Sequence, residues 1–123
     1  REELGTRFVL SRGIDQCLTI YPMDHWQTLT TSLQKLSFTK SSVRKLRRFL
    51  IGSSTEMECD RQGRILIPAH LREYAGLKKE ALVIGTGATI EIWNPAVLDA
   101  ANGDDESIAD LAESLDIPMD FDL

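Results

Sequence analysis

An internal repeat constrains this chain most, because two related units must share one architecture. Residues 1–5 resemble residues 72–76, and after one inserted residue the match continues at a spacing of 72. Glycine, aliphatic and aromatic positions then recur in order: Leu10 with Leu82, Gly13 with Gly85, Leu18 with Ile90, Ile20 with Ile92, Tyr21 with Trp93 and Trp26 with Leu98. This ordered match favours a duplicated unit over coincidence.

Each copy is predicted to form a β-hairpin. Short β-type runs lead into glycine-containing turns, and the return strands alternate apolar and polar positions. Pro22 and Pro95 follow the return strands and end them, since proline has no N–H to donate to a ladder. The predicted strands are residues 7–12 and 17–21 in the first copy, and residues 81–85 and 89–93 in the second.

The second copy opens with a segment, residues 55–71, that has no counterpart in the first. That counterpart would precede Arg1, so the repeat period predicts about twenty further residues upstream in the natural protein. Within the segment, Met57 and Cys59 alternate with charged neighbours as in a half-buried strand. Residues 65–67 are the predicted return strand, and a short helix is predicted from Pro68 until Gly76 ends it.

Between these two strands, residues 60–63 fit a type I turn, with Asp60 bonding the backbone ahead and Gly63 in the left-handed conformation. Two interpretations of the neighbouring arginines stay open. Asp60 and Arg64 can form a surface ion pair that only supports the turn. Alternatively, the rigid turn projects Arg61 and Arg64 towards phosphates or the edges of guanines.

Two helices are predicted between the copies. The first has Asp24 as a candidate N-cap and apolar residues at helical spacing: Trp26, Leu29, Leu33 and Leu36. The second places Val43, Leu46, Phe49 and Leu50 on one side. Its basic residues Arg44, Lys45 and Arg48 lie within about 100° on the other, with Arg47 nearby. This basic face is solvated, contacts phosphates, or pairs with acidic side chains of a neighbouring subunit; the sequence leaves these alternatives open.

Charge is distributed unevenly along the chain. The net charge is −5 at pH 7, yet nine acidic residues and no basic one follow from Asp99 onward. Residues 1–98 therefore hold all 14 basic residues and ten acidic ones, a net charge of +4. The body is suited to binding phosphate and the tail is not. A weak third helix is predicted within the tail, with Ile108, Leu111, Ala112 and Leu115 as its apolar positions.

No constellation in the sequence indicates catalysis. His25 and His70 lack metal-ligand spacing and nucleophilic partners, and no phosphate-binding glycine loop is present. Cys17 and Cys59 are too few for a disulfide framework and are expected to be buried thiols in a reducing cytosol. No apolar run approaches the roughly 20 residues of a membrane span. We therefore expect no enzyme, metal, cofactor, small-molecule substrate or membrane association.

Several features of the chain together resemble the MraZ family. They are the string from Asp60 to Arg64, the strand and helix after it, the tandem duplication, the helical spacer and residues 90–95. This resemblance covers residues 1–98. It implies an α+β fold: a double-split, swapped-hairpin β-barrel of the AbrB-like group, built from two tandem repeats with connecting helices. The implied organisation is a first repeat at 1–26 lacking its opening strands, a helical spacer at 27–53, a second repeat at 54–98 and an acidic tail at 99–123.

The resemblance also implies a function. MraZ proteins are sequence-specific, nucleoid-associated repressors of the bacterial division and cell-wall gene cluster, forming ring-shaped homo-oligomers on promoter repeats of double-stranded DNA. By this resemblance Arg61 and Arg64 would contact DNA, Asp60 would orient the loop and Gly63 would permit its turn. The family carries two such signatures, and this chain shows one. The alternative is an antitoxin-like protein-interaction module, which a toxin-like neighbouring gene would favour.

Overall fold

Two antiparallel hairpins lie edge to edge at the centre of the fold, and a fifth strand extends the sheet. The computed structural model describes residues 7–103 and 107–117. The strands are β1 (Arg7–Arg12), β2 (Leu18–Pro22), β3 (Thr55–Glu58), β4 (Leu82–Gly85) and β5 (Ile90–Trp93). Their order in the sheet is β3-β1-β2-β5-β4, with every pair antiparallel. Both predicted hairpins are confirmed, and the sheet joins them through β2 and β5.

The β2–β5 pairing shows the duplication directly. Leu18 faces Ile92 and Ile20 faces Ile90, while Thr19 faces Glu91 between them. Leu18 and Ile90 are equivalent in the two copies, as are Ile20 and Ile92, so the pairing is reciprocal. The two hairpins are therefore related by a local twofold axis close to Thr19.

The first strands of the two hairpins are displaced by one residue from the sequence match. Leu10 faces Ile20 across its hairpin, but Val83 faces the equivalent Ile92 and Leu82 faces Trp93. Val83, not Leu82, therefore corresponds to Leu10. The reason is loop length, because five residues separate β1 from β2 and four separate β4 from β5.

Helices cover the sheet and connect the copies. They are α1 (Met23–Gln34), α2 (Ser41–Leu50), α3 (Ala69–Ala75), α4 (Pro95–Asn102) and α5 (Ile108–Ser114). The prediction that Asp24 caps α1 is wrong: the helix begins directly after β2, with Pro22 at the N-cap and no side-chain cap. Gly76 ends α3 in the left-handed conformation as predicted, with φ 66°, while Pro68 lies just before the helix.

Helix α4 was not predicted from the sequence. Its signal was present, since the Asn94 side chain accepts a hydrogen bond from the Ala96 N–H and Pro95 occupies the first helical position. Within the described residues, no helix is long and apolar enough to cross a membrane. The predicted match of residues 1–5 falls outside the described residues, as do 104–106 and 118–123 of the tail.

The core lies between one face of the sheet and α3. Its buried members are Phe8, Leu10, Leu18, Ile20, Leu71, Ala75 and Ile92. On the opposite face, Val9 is also buried, and the buried Ser11 hydroxyl donates to the Leu50 carbonyl oxygen of α2 at 2.6 Å. Strand β1 is thus covered on both faces, which removes its apolar side chains from water and stabilises the fold.

The predicted return strand at 65–67 is not formed. Ile65 and Ile67 pack against the core and Leu66 is exposed, so the side chains alternate as in a strand, but no ladder joins this segment to β3. The predicted barrel is not confirmed either, because the described strands form an open sheet. A groove of about 350 Å³ separates Ile65 and Ile67 on one side from Ala81 and Val83 on the other.

Candidate nucleic-acid interface

A network centred on Asp60 holds the turn that follows β3. Asp60 Oδ1 accepts hydrogen bonds from the backbone N–H groups of Gln62 and Arg64, at 2.9 and 2.8 Å. Asp60 Oδ2 accepts from Arg64 Nε at 2.9 Å. One carboxylate therefore fixes both the backbone of the turn and the direction of an arginine side chain.

The backbone closes the same turn. The Gly63 N–H donates to the Asp60 carbonyl oxygen at 3.0 Å, and the Asp60 N–H donates to the Arg64 carbonyl oxygen at 2.9 Å. Gly63 has φ 79°, a conformation that costs a residue with a Cβ about 1 kcal/mol or more. The predicted roles of Asp60 and Gly63 in the turn are both confirmed.

The arginines of this turn are accessible. The Arg64 side chain is 74% exposed, and it bonds Asp60 through Nε, so its two terminal nitrogens lie at the exposed end. Arg61 is also exposed and makes no hydrogen bond or ion pair within the described part of the chain. A guanidinium held through Nε retains its end-on pair of N–H donors, which suits bidentate binding of a phosphate or a guanine edge.

The turn borders an open cleft of about 580 Å³, lined by Glu58, Cys59, Asp60, Arg64, Ile65 and Leu66. Glu58 and Asp60 give this cleft a partly acidic wall, which disfavours a phosphate inside it. The exposed side of the Arg64 guanidinium lies at the outer rim of the turn, away from this acidic wall.

The basic residues of α2 divide into two groups. Arg44 Nη1 donates to the Phe38 and Thr39 carbonyl oxygens, each at 2.9 Å, and Arg47 Nη2 donates to those of Leu33 and Leu36, at 2.9 and 3.1 Å. These two arginines bind carbonyl groups at the end of α1 and in the connection to α2. The exposed Lys45 and Arg48 remain as the candidate contacts of this helix with another molecule.

The structural role of Arg12 was not predicted from the sequence. Its guanidinium lies 4.5 Å from the Phe49 ring centroid and 5.5 Å from that of Tyr74. It also donates to the carbonyl oxygens of Phe49 and Arg48, at 3.3 and 3.5 Å, where a cation complements the helix C-terminus. Its only sequence signal was a basic residue at the end of an apolar strand.

The remaining candidates for chemistry occupy structural positions. His25 stacks beside Tyr21, with ring centroids 6.0 Å apart, and His70 Nε2 lies 3.3 Å from the Ser53 carbonyl oxygen. Cys17 is buried and Cys59 half-buried, both as free thiols. Burial raises the pKa of the Cys17 thiol to about 12, with Glu91 and Asp15 adding to the effect. Within residues 7–103 and 107–117, no cluster of three or more histidine, cysteine or acidic residues could hold a metal ion.

These features define a class: a duplicated α+β protein that presents arginines on a turn held by a carboxylate. The sequence profile of one family, described as "MraZ protein, putative antitoxin-like", matches residues 1–49 and again residues 50–103. The two successive matches support the duplication.

Curated relatives agree with this assignment. The chain is 45% identical to the "Transcriptional regulator MraZ" of Desulfitobacterium hafniense (strain Y51) over 116 residues, which are 94% of this chain and 81% of that relative. It is 43% identical over 117 residues to proteins of the same name from Caldanaerobacter subterraneus subsp. tengcongensis and Thermoanaerobacter sp. (strain X514), covering 94% of this chain and 82% of each. The chain belongs to the MraZ family.

Proposed function

We propose that this chain is a sequence-specific, DNA-binding transcriptional regulator. It represses the division and cell-wall gene cluster, including its own promoter, in the cytoplasm at the nucleoid. The observation that carries the proposal is the Arg64 guanidinium, which is fixed by Asp60 at 2.9 Å and yet 74% exposed. The name shared by the curated relatives supports the same function.

Each residue of the turn has a separate role in DNA recognition. Asp60 orients Arg64 before DNA arrives, which lowers the entropy lost on binding. Arg64 contacts guanine edges or phosphates through its terminal nitrogens, and Arg61 adds a phosphate contact from the adjacent position. Gly63 permits the close turn that brings both arginines together after β3.

A single turn of this kind binds weakly, so we propose that copies assemble into a ring-like homo-oligomer on repeated DNA boxes. The body of one chain carries a net charge of only +4. Linking several turns makes later contacts intramolecular and raises the overall affinity by a factor on the order of 10²–10⁴. The promoter boxes must then recur at a spacing that matches neighbouring turns.

We also propose that the open sheet closes into a swapped-hairpin barrel when a further segment pairs with β4. Strand β1 has β3 on its outer edge, whereas the outer edge of β4 has no partner among the described residues. The local twofold axis relates these two edges. A segment equivalent to residues 55–67 would pair with β4 and fill the groove between Ile67 and Val83.

The test is a binding titration of fluorescent promoter DNA with the complete protein, with an unrelated duplex of equal length as competitor. We expect Arg64→Ala to weaken promoter binding at least about a hundredfold, since one bidentate contact is worth about 1–3 kcal/mol and is repeated in each copy. Arg61→Ala is expected to weaken both duplexes similarly and to reduce the salt dependence.

Lys78→Ala is the matched control, because Lys78 is an exposed basic residue in a different loop. It should change promoter affinity by less than about threefold, the size of a single screened phosphate contact. Unchanged promoter binding by Arg64→Ala, or no promoter binding by the wild type at low salt, would refute the proposed site.

A second candidate is an antitoxin-like interaction module. The antitoxin-like description of the matched family and the acidic tail favour it. It predicts that expression of the chain rescues cells from the growth arrest caused by a neighbouring gene, and that Arg64→Ala rescues equally well. Repression of a promoter reporter that depends on Arg64 distinguishes the first function from the second.

A further inference from the structure

The turn from Asp60 to Arg64 presents a third side chain beside its two arginines. The Gly63 N–H donates to the Asp60 carbonyl oxygen at 3.0 Å, so Arg61 and Gln62 are the two central residues of the turn. The Gln62 N–H donates to Asp60 Oδ1 at 2.9 Å, which fixes the backbone from which this side chain projects. The Gln62 side chain therefore starts from a defined position in the middle of the turn.

The fold does not use the carboxamide of Gln62. Gln62 is exposed, and among the described residues its side chain makes no hydrogen bond, whereas the side chain of Gln16 donates to the Tyr74 carbonyl oxygen at 3.2 Å. The turn needs only the backbone of Gln62, because the Asp60 carboxylate and the left-handed Gly63 supply its other constraints. The carboxamide can therefore contact another molecule.

A carboxamide and a guanidinium recognise different base edges. In the major groove, guanine presents two acceptors, N7 and O6, which match the paired donors of an arginine. Adenine presents an acceptor, N7, beside a donor, the N6 amino group, and these match the N–H and C=O groups of one carboxamide. Within residues 60–64, Gln62 has the one side chain that both donates and accepts hydrogen bonds.

We propose that Gln62 recognises an adenine in the major groove, beside the guanine that Arg64 contacts. This inference rests on the proposed DNA-binding function and adds a second base to those that the turn specifies. Gln62 and Arg64 are two residues apart, so at most about 7 Å separates their Cα atoms. Successive bases of one strand are about 3.4 Å apart along the helix axis, so the adenine lies within about two base steps of the guanine.

An exposed carboxamide can also bind a phosphate oxygen, but this turn favours the base contact. Arg61, the other central residue, carries a charged donor group, and charged donors bind phosphate more strongly than a neutral amide does. The two uses have different consequences. Loss of a phosphate contact weakens binding to all sequences alike, whereas loss of a base contact removes a preference at one position.

The first experiment selects bound duplexes from a library in which one promoter box is randomised, at low salt so that weakened variants still bind. The full-length wild type is compared with Gln62→Ala, Arg64→Ala and the control Gln27→Ala, which removes an exposed glutamine from α1. We expect the wild type to prefer adenine at one position by at least about tenfold, the effect of one bidentate contact.

Each variant should change the selected sequences in its own way. Gln62→Ala should lose the adenine preference and keep the guanine preference, Arg64→Ala should lose the guanine preference, and Gln27→Ala should match the wild type. Gln62→Ala should also keep the wild-type unfolding midpoint, since the substituted side chain is exposed and the backbone N–H still donates to Asp60.

The second experiment removes the N7 acceptor from the DNA. Replacing the selected adenine by 7-deazaadenine exchanges N7 for a C–H group and leaves the base pair intact. The wild type should bind the modified box at least about fivefold more weakly, whereas Gln62→Ala should bind both boxes within about twofold of each other. The salt dependence of Gln62→Ala should equal that of the wild type, because the carboxamide is neutral and releases no counterion.

A Gln62→Ala variant that binds every sequence more weakly by the same factor would overturn this inference, because Gln62 would then contact phosphate or support the turn. An unchanged base preference, or loss of a preference for a base other than adenine, would overturn it as well. In these cases a guanine preference that depends on Arg64 still supports the proposed function. A wild type that selects no sequence, or an Arg64→Ala variant that selects the wild-type boxes, would refute the DNA site and the Gln62 contact together.

Discussion

The two hairpins of this chain come from one duplicated unit, yet they are buried to very different degrees. Leu10 of β1 is 0% exposed, whereas Val83, its structural counterpart in β4, is 68% exposed. Both are aliphatic strand residues that face an equivalent isoleucine. The difference lies in their neighbours, because β1 is flanked by β2 and β3, whereas β5 is the one neighbour of β4 among the described strands.

This difference teaches that burial in a repeat protein is a property of the assembled sheet and not of the repeat. In the first hairpin, β1 has a partner on each side, because β3 of the second copy pairs with its outer edge. The second hairpin presents an apolar edge to the groove beside Ile65 and Ile67. An unpaired apolar edge favours association with a further strand.

Substituting alanine for Leu10 and for its counterpart Val83 tests the difference in burial most strongly. Leu10→Ala should lower the free energy of unfolding by about 2–5 kcal/mol, since it leaves a cavity in the core. Val83→Ala should lower it by less than about 0.5 kcal/mol in this chain, because the side chain is already mostly in water. Urea denaturation of both variants gives the values. Equal losses would show that β4 is as buried as β1.

The difference in burial is tested further in a chain extended at its N-terminus by a segment equivalent to residues 55–67. There Val83→Ala should cost about 1–2 kcal/mol, because a segment paired with β4 would bury Val83. Leu10→Ala serves as the internal reference and should cost the same in both chains. A Val83→Ala effect that does not grow would argue against closure of the barrel at β4.

Gly13 and Gly85, which match in sequence, are expected to give an effect of similar size. A Cβ at Gly13 would lie 2.5 Å from Cys17 Sγ and 3.1 Å from the Cys17 carbonyl oxygen, whereas a Cβ at Gly85 meets nothing within 4 Å. Gly13→Ala should therefore destabilise the chain by about 1–3 kcal/mol. Gly85→Ala should be neutral, or stabilising by up to about 1 kcal/mol. Thermal unfolding of the two variants checks this, and a neutral Gly13→Ala would show that the first loop has room to relax.

The smallest expected effect is a pH dependence confined to the first hairpin. Burial raises the pKa of the Cys17 thiol from 9.0 to about 12, and the matched residue of the second copy, Thr89, has no thiol. Between pH 9 and 12 the unfolded chain loses the thiol proton and the folded chain keeps it. The free energy of unfolding should therefore fall with rising pH in this window, and Cys17 should contribute no slope below it.

Denaturation of Cys17→Ser at several pH values isolates this contribution from other alkaline titrations. The variant should show a shallower decline than the wild type between pH 9 and 12. Cys59→Ser controls for the loss of a thiol elsewhere. Identical slopes for Cys17→Ser and the wild type would mean that the folded thiol ionises as readily as the unfolded one.

Local features were accessible from the sequence because they depend on neighbouring residues alone. Three such features follow from backbone preferences over a few positions. They are the alternation of Met57 with charged residues, the turn from Asp60 to Gly63 and the end of α3 at Gly76. The repeat was equally visible, since it only requires comparing the chain with itself. The turn that carries Arg64 could thus be predicted as a candidate site from the order of its residues.

Tertiary structure decided which of these local pieces meet. Three features depend on residues distant in the chain. They are the reciprocal β2–β5 pairing, the one-residue shift that makes Val83 and not Leu82 the counterpart of Leu10, and the failure of residues 65–67 to form a strand. The use of Arg12 and Arg47 to bind helix carbonyl groups likewise needs elements far apart in the chain. Such contacts arise from packing and long-range pairing, which local periodicity does not encode, so the sequence determined the parts and the tertiary structure determined their partners.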